Sequence, residues 1–172
     1  MTWIAPDTDR IETVPTGPER PMLQSWLDFH RQTLLAKCSG LGTAQLKQCA
    51  VPPSSLSLHG LVRHMSEVER GWLRITAAGQ RLAYLYCADT DPNGDFDGIG
   101  TADPAADFAV YRRETELADA AVAELPLDHR CRHPAGPEYS LRWVYLHLIE
   151  EYTRHNGHAD LLREQIDGST GD

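Results

Sequence analysis

Four residues toward the C-terminal end of the chain have the types and spacing for metal or acid–base chemistry: His147, Glu151, His155 and His158. Their offsets of four, four and three place all of them on one face of an α-helix. Burying such a face is costly unless something pairs with it. Two ligands one helical turn apart can hold a single metal ion, as in the helical zinc motif HExxH. A third ligand from a facing helix completes an open three-ligand site. His64 is the candidate: it lies between Leu61 and Val68, beside Met65, on the apolar side of a second amphipathic pattern. In that pattern Arg63 and Glu67 are expected to face water. The alternative for His64 is a core histidine bonded to a carbonyl or carboxylate. His30 sits on another apolar stripe, with a core or cavity-lining role. His59, His129 and His133 fall in loops or at a helix start and read as mainly surface residues.

Four helical patterns must position these side chains. The first runs from about Glu19 to Leu41, with Leu23, Leu27, His30 and Leu34 recurring at steps of three and four. Pro18 and Pro21 mark its start, and Gly40 and Gly42 its end. The second runs from about Leu58 to Ala78, with Leu61, Met65, Val68, Trp72 and Ile75 on one stripe and Arg63, Glu67, Arg70 and Arg74 on the other. Ser55 or Ser57 caps it and Gly79 stops it. The third runs from Pro104 to Leu125, with Asp103 as cap and proline at its first position. The fourth runs from Leu141 to about Ile166, between Ser140 and Gly168; its apolar residues are Trp143, Leu146, Ile149, Leu161 and Leu162. Tyr84–Tyr86 and Glu138–Tyr139 are short extended pieces. The pattern predicts an all-α fold: one four-helix-bundle domain over 1–172, with an extended N-terminal segment over 1–18. The connection from Gln80 to Thr101 is longer than a bundle turn needs, which marks it as functional or disordered.

The segments Leu58-His59-Gly60-Leu61-Val62-Arg63-His64-Met65 and Glu151-Tyr152-Thr153-Arg154-His155-Asn156-Gly157-His158 together resemble the DinB/YfiT superfamily of four-helix metalloproteins. In that superfamily one histidine comes from the second helix and an HxxxH or ExxxH pair from the last. The ExxxH form here is similar to the mycothiol-dependent maleylpyruvate isomerases, whose triad is two histidines and a glutamate. Carried over, the resemblance implies His64, Glu151 and His155 as metal ligands. His158 stands where many members have glutamine, as a supporting group or alternative ligand; His147 and His30 are further supporting or cavity-lining positions. No catalytic residue is assigned. Two imidazoles and a carboxylate suit Zn²⁺, Ni²⁺ or Fe²⁺, and ligand type alone does not choose among them; zinc is the first expectation. An open position on such an ion binds water or a thiol and lowers its pKa. The resemblance therefore implies a small-thiol-dependent S-transferase or isomerase with mycothiol as co-substrate, and pairing as a homodimer. The rival functions are a non-catalytic metal- or ligand-binding module and a metal-dependent hydrolase. Glu150, Glu67 and Glu69 are the nearest candidate bases. Arg142 and Arg154 read as surface ion pairs before substrate anchors.

Asp89-Thr90-Asp91-Pro92-Asn93-Gly94-Asp95-Phe96-Asp97 matches the opening of a calcium-binding EF-hand loop, but Gly100 stands where a bidentate glutamate is needed. A solvated turn with Gly94 at positive φ fits better. A lid carrying Tyr84, Tyr86 and Phe96 over the bundle is the third reading.

Composition limits the partners. The 16 basic residues against 25 acidic ones leave a formal net charge of −9, which disfavours nucleic acid and anionic membranes as partners, and a small-molecule substrate is what the resemblance implies. No run reaches the roughly 18 apolar residues of a membrane span, and the first twenty residues lack a signal-peptide pattern. Cys38, Cys49, Cys87 and Cys131 are scattered, as reduced thiols of a cytoplasmic protein are.

Overall fold

The computed structural model describes residues 3–133 and 136–170. The chain is mostly helical, and its helix boundaries follow the capping chemistry of the sequence. Helix α1 (Glu19–Cys38) starts after Pro18, carries Glu19 in its first turn and stops at Ser39, before Gly40 at φ 76°. A single turn, α2 (Thr43–Leu46), follows. Helix α3 (Leu58–Glu69) begins at Ser57, whose hydroxyl accepts the Gly60 N–H at 3.0 Å. It does not continue as α-helix to Ala78: from Arg70 to Ala77 the turn widens into π-helix, with the Ala78 N–H reaching back five residues to the Leu73 carbonyl at 3.0 Å. Eight residues are too few for apolar spacing to separate the two registers. Helix α5 (Pro104–Val122) is capped by Asp103, which accepts the Ala105 N–H. Helix α6 (Leu141–Asp167) is capped by Ser140 and closed by Gly168 at φ 79°.

The four long helices bury one another's apolar stripes. Helix α6 lies along α1 and α3, and α5 lies along α3 and its π extension. Leu27, Leu34, Leu61, Met65, Leu73, Ala118, Leu148 and Ala159 have no exposed surface. Of the apolar residues expected on α6, Leu162 is buried, whereas Trp143, Leu146 and Leu161 are exposed; Val144, Tyr145, Leu148 and Tyr152 turn inward instead. The centre is not purely apolar. Arg31 on α1 grips Glu69 on α3 through two hydrogen bonds of 2.7 and 2.8 Å. Glu69 also accepts the Tyr152 hydroxyl at 2.8 Å, and Tyr152 meets the Tyr111 hydroxyl at 2.8 Å. This network ties α1, α3, α5 and α6 together at one level.

Two short pieces complete the fold. Strands β1 (Arg130–Arg132) and β2 (Glu138–Ser140) pair antiparallel ahead of α6. The N-terminal segment is extended and tied to the end of α1: the Ala5 N–H bonds the Leu41 carbonyl, and the Gly40 N–H the Ala5 carbonyl. Residues 1 and 2 of that segment lie outside the described residues.

The long connection between α3 and α5 is folded against α3, and this corrects the expected polar stripe. Arg63 and Glu67 do not face water; they are 7% and 6% exposed. Arg63 donates to the carbonyls of Gly94 and Asp95, both at 2.8 Å, and to Asp107 at 3.0 Å, with its guanidinium over the Tyr86 ring. Glu67 accepts the backbone N–H groups of Leu85, Tyr86 and Cys87. Residues 84–86 form no strand; the N–H groups of Leu85 and Tyr86 end on a carboxylate. Arg70 and Arg74 both reach Glu114 on α5. His59 is likewise no surface residue: it has no exposed area, and its Nε2 lies 2.7 Å from Asp107. These polar groups are covered because the connection and α5 together supply them with partners.

Within the connection, α4 (Gly94–Asp97) is a single helical turn, followed by a 3₁₀ turn (Gly98–Gly100). Gly94 does not adopt positive φ. Glycine is required there by proximity, since a Cβ would stand 2.2 Å from the Tyr86 carbonyl oxygen. Among the described residues no helix is long and apolar enough to cross a membrane.

Candidate metal centre

Helices α3 and α6 bring His64, Glu151 and His155 together. One ligand atom from each lies within 4.8 Å of the others, and the two imidazole rings are 4.6 Å apart between centroids. Within α6, Glu151 Oε2 faces His155 Nε2 at 3.4 Å. The four-residue offset produces that pairing, and the α3–α6 packing adds His64.

The ring of His64 is held on two sides. Its Nδ1 lies 2.8 Å from Asp95 Oδ2, and Phe96 stacks on its face at 5.0 Å. Asp95 is 4% exposed. Burial works against its ionisation, but the hydrogen bond from His64 outweighs that and holds its carboxyl below the usual range. An ionised carboxylate only accepts, so His64 Nδ1 carries the proton and Nε2 is the atom left for a ligand. A metal-binding histidine is commonly oriented in this way by a carboxylate on its other nitrogen. Asp95 is the residue of this candidate centre that the sequence reading missed. It lies in the loop set aside as a solvated turn, and no local spacing links it to His64, 31 residues earlier.

His155 is pushed down to about 4, by burial first and then by the neighbouring His64 and His158. It is therefore neutral at physiological pH, the form that binds metal. His158 Nδ1 lies 3.4 Å from His155 Nδ1, so it borders the second ligand. His147 lies on the other side of Glu151, its Nε2 3.5 Å from Oε1, with its ring between those of Trp143 and Trp72. His30 is elsewhere: it stacks on Trp26 at the seam of α1 and α6, near Thr153 and Asn156. The donor set fits a divalent ion: a nitrogen–oxygen–nitrogen triad, one ring oriented by a carboxylate and one held neutral by burial.

The three carboxylates considered as bases have separate positions. Glu69 is buried on Arg31, Glu67 is occupied by backbone N–H groups, and Glu150 is exposed beside His147. Arg142 forms a surface pair with Glu19, and Arg154 is exposed. The acidic loop is used otherwise: Asp95 bonds His64, Asp91 pairs by backbone with Ala88, and among the described residues no cluster of three possible metal ligands falls within the loop.

A cleft of about 250 Å³ opens beside His64. Val68, Gly71, Trp72, Tyr84 and Pro92 line it, with Cys87, Asp95, Glu67 and His133.

Residues 22–168 match the family model described as mycothiol-S-transferase. No curated protein matches the chain.

Proposed function

Since this chain belongs to the mycothiol-S-transferase family, matched over residues 22–168, we propose that it is a divalent-metal-dependent enzyme that joins a small thiol, mycothiol, through its sulfur to a second small molecule. On this reading the long helices are a DinB-type four-helix bundle, and His64, Glu151 and His155 hold the ion, zinc first. The observation that carries the proposal is the convergence of those three side chains from α3 and α6, with His64 aimed by Asp95.

The residues divide the work. When bound, a divalent ion lowers the pKa of a thiol on its open position and so supplies a sulfur nucleophile near neutral pH. Asp95 holds the proton on His64 Nδ1 and presents Nε2. Burial keeps His155 neutral and available. Arg63 fixes the backbone of Gly94 and Asp95, which sets the position of the carboxylate. The cleft beside His64 provides room for the second substrate.

The test is elemental analysis of the purified protein followed by an S-transfer assay with mycothiol. We expect about one metal ion per chain and a transfer rate that disappears in His64→Ala and His155→Ala while helical content is retained. Protein that binds no divalent ion under any loading condition, or transfer unchanged in both variants, rules the proposal out.

A further inference from the structure

The cleft beside His64 has a chemical character that the metal centre does not explain. Its walls are the indole of Trp72, the phenol ring of Tyr84, Val68 and Pro92, and the bare backbone of Gly71. A Cβ at Gly71 would come within 3.4 Å of the Tyr84 ring, so glycine lets that ring lie close against the helix. Trp72 is fixed by edge contacts with His147 and Tyr139, at 4.5 and 5.4 Å between centroids. An aromatic surface held rigidly in this way favours stacking with a planar ligand. The volume of about 250 Å³ exceeds the roughly 150 Å³ cavity known to accept benzene.

Both carboxylates of the lining are already occupied. Glu67 accepts three backbone N–H groups at 2.9, 2.6 and 2.9 Å. Asp95 accepts from His64 and from the Phe96 N–H. Among the described residues no lysine or arginine lines the cleft. An anionic substrate finds no lysine or arginine side chain there, and a cationic one finds both carboxylates engaged.

We propose that the cleft lined by Trp72 and Tyr84 binds a neutral, planar aromatic electrophile as the second substrate, with its reacting carbon toward His64. This rests on the S-transfer reading given above. In the step, the thiol sulfur forms a bond to the electrophilic carbon. The leaving group departs with the electron pair of its bond to that carbon, and the thiol proton passes to water.

The experiment uses the zinc-loaded full chain, mycothiol and three electrophiles with a common leaving group: benzyl chloride, allyl chloride and 4-(chloromethyl)benzoate. After correction for the uncatalysed rates, kcat/KM for benzyl chloride should exceed that of each of the others by about tenfold, the discrimination an apolar pocket achieves. The benzyl-to-allyl ratio should collapse toward one in Tyr84→Ala, an exposed position where truncation spares the core, and in Trp72→Leu. A ratio near one in the native protein, or unmoved in both variants, overturns the proposal. A second measurement separates this from failure of the transfer reading. Unreactive 4-nitrobenzyl alcohol should quench tryptophan fluorescence saturably, the response should be lost in Trp72→Phe, and saturating mycothiol should leave it in place. Displacement by mycothiol, or no saturable quenching, overturns the aromatic site. Quenching that persists without any transfer leaves the site standing and removes the transferase reading alone.

Discussion

His64 and Asp95 are joined by a 2.8 Å hydrogen bond between Nδ1 and a carboxylate oxygen, across 31 residues of sequence. The bond makes the acidic loop part of the candidate metal centre. It also connects that centre to α3 by a second route, because Arg63, one residue before His64, holds the backbone carbonyl of Asp95.

Removing the carboxylate therefore weakens the centre without removing a ligand. Asp95→Ala should lower zinc affinity by about 10- to 100-fold, the usual effect of losing a partner that orients a metal-bound histidine. Competition titration against a zinc chelator measures it. Affinity equal to that of the native protein would show that the loop does not orient His64.

The ligands themselves should be more sensitive. Glu151→Ala should abolish stoichiometric zinc binding, whereas His30→Ala, at the seam of α1 and α6, should leave it intact. Addition of zinc should raise the melting temperature of the native protein and of His30→Ala but not of Glu151→Ala, since a ligand that binds only the folded state stabilises it.

The central ion pair carries a stability prediction. Glu69 has no exposed surface and Arg31 is 5% exposed. Burial alone would favour loss of the Arg31 proton, but Glu69 outweighs it and holds the guanidinium charged. Glu69→Ala leaves that charge without its main partner and should cost about 3–5 kcal/mol in urea unfolding. The Arg31→Met, Glu69→Leu double variant should lose less than Glu69→Ala alone.

Acid should loosen the connection that carries Asp95. Burial opposes ionisation of Asp107, but hydrogen bonds from His59, Arg63 and Tyr86 hold its carboxyl below the usual value of 3.8. A carboxyl depressed by folding adds stability that is present above the unfolded value and is lost as pH falls through the folded one. The stability difference between the native protein and Asp107→Asn should therefore be constant near neutrality and shrink only below about pH 4. Urea midpoints from pH 7 to 3 test it; a difference that disappears already between pH 7 and 5 contradicts the assignment.

The thiols should separate by burial. Cys38 is fully buried and its thiol is pushed up to about 12, while Cys49 is exposed. Alkylation of the native protein at pH 8, followed by mass spectrometry, should label Cys49 first and Cys38 only after denaturation.

Much of this molecule follows from local chemistry. Ser57, Asp103, Ser140 and Gly168 fix helix ends because their groups act within one turn. The pairing of Glu151 with His155 follows from a four-residue offset on one helix. Helical period cannot say what covers a helix face. Arg63, Glu67 and His59 look solvent-bound in sequence and are buried because the 84–107 segment folds back and supplies carbonyls, N–H groups and Asp107. Asp95 is the clearest case. Its neighbours in sequence read as a solvated turn, and only the packing of α4 on α3 brings its carboxylate to His64. The sequence alone determined the four long helical segments and the offsets between residues along each of them. The tertiary structure decided which polar groups found partners, because a hydrogen bond across 31 residues depends on where two backbones meet and leaves no period in the sequence.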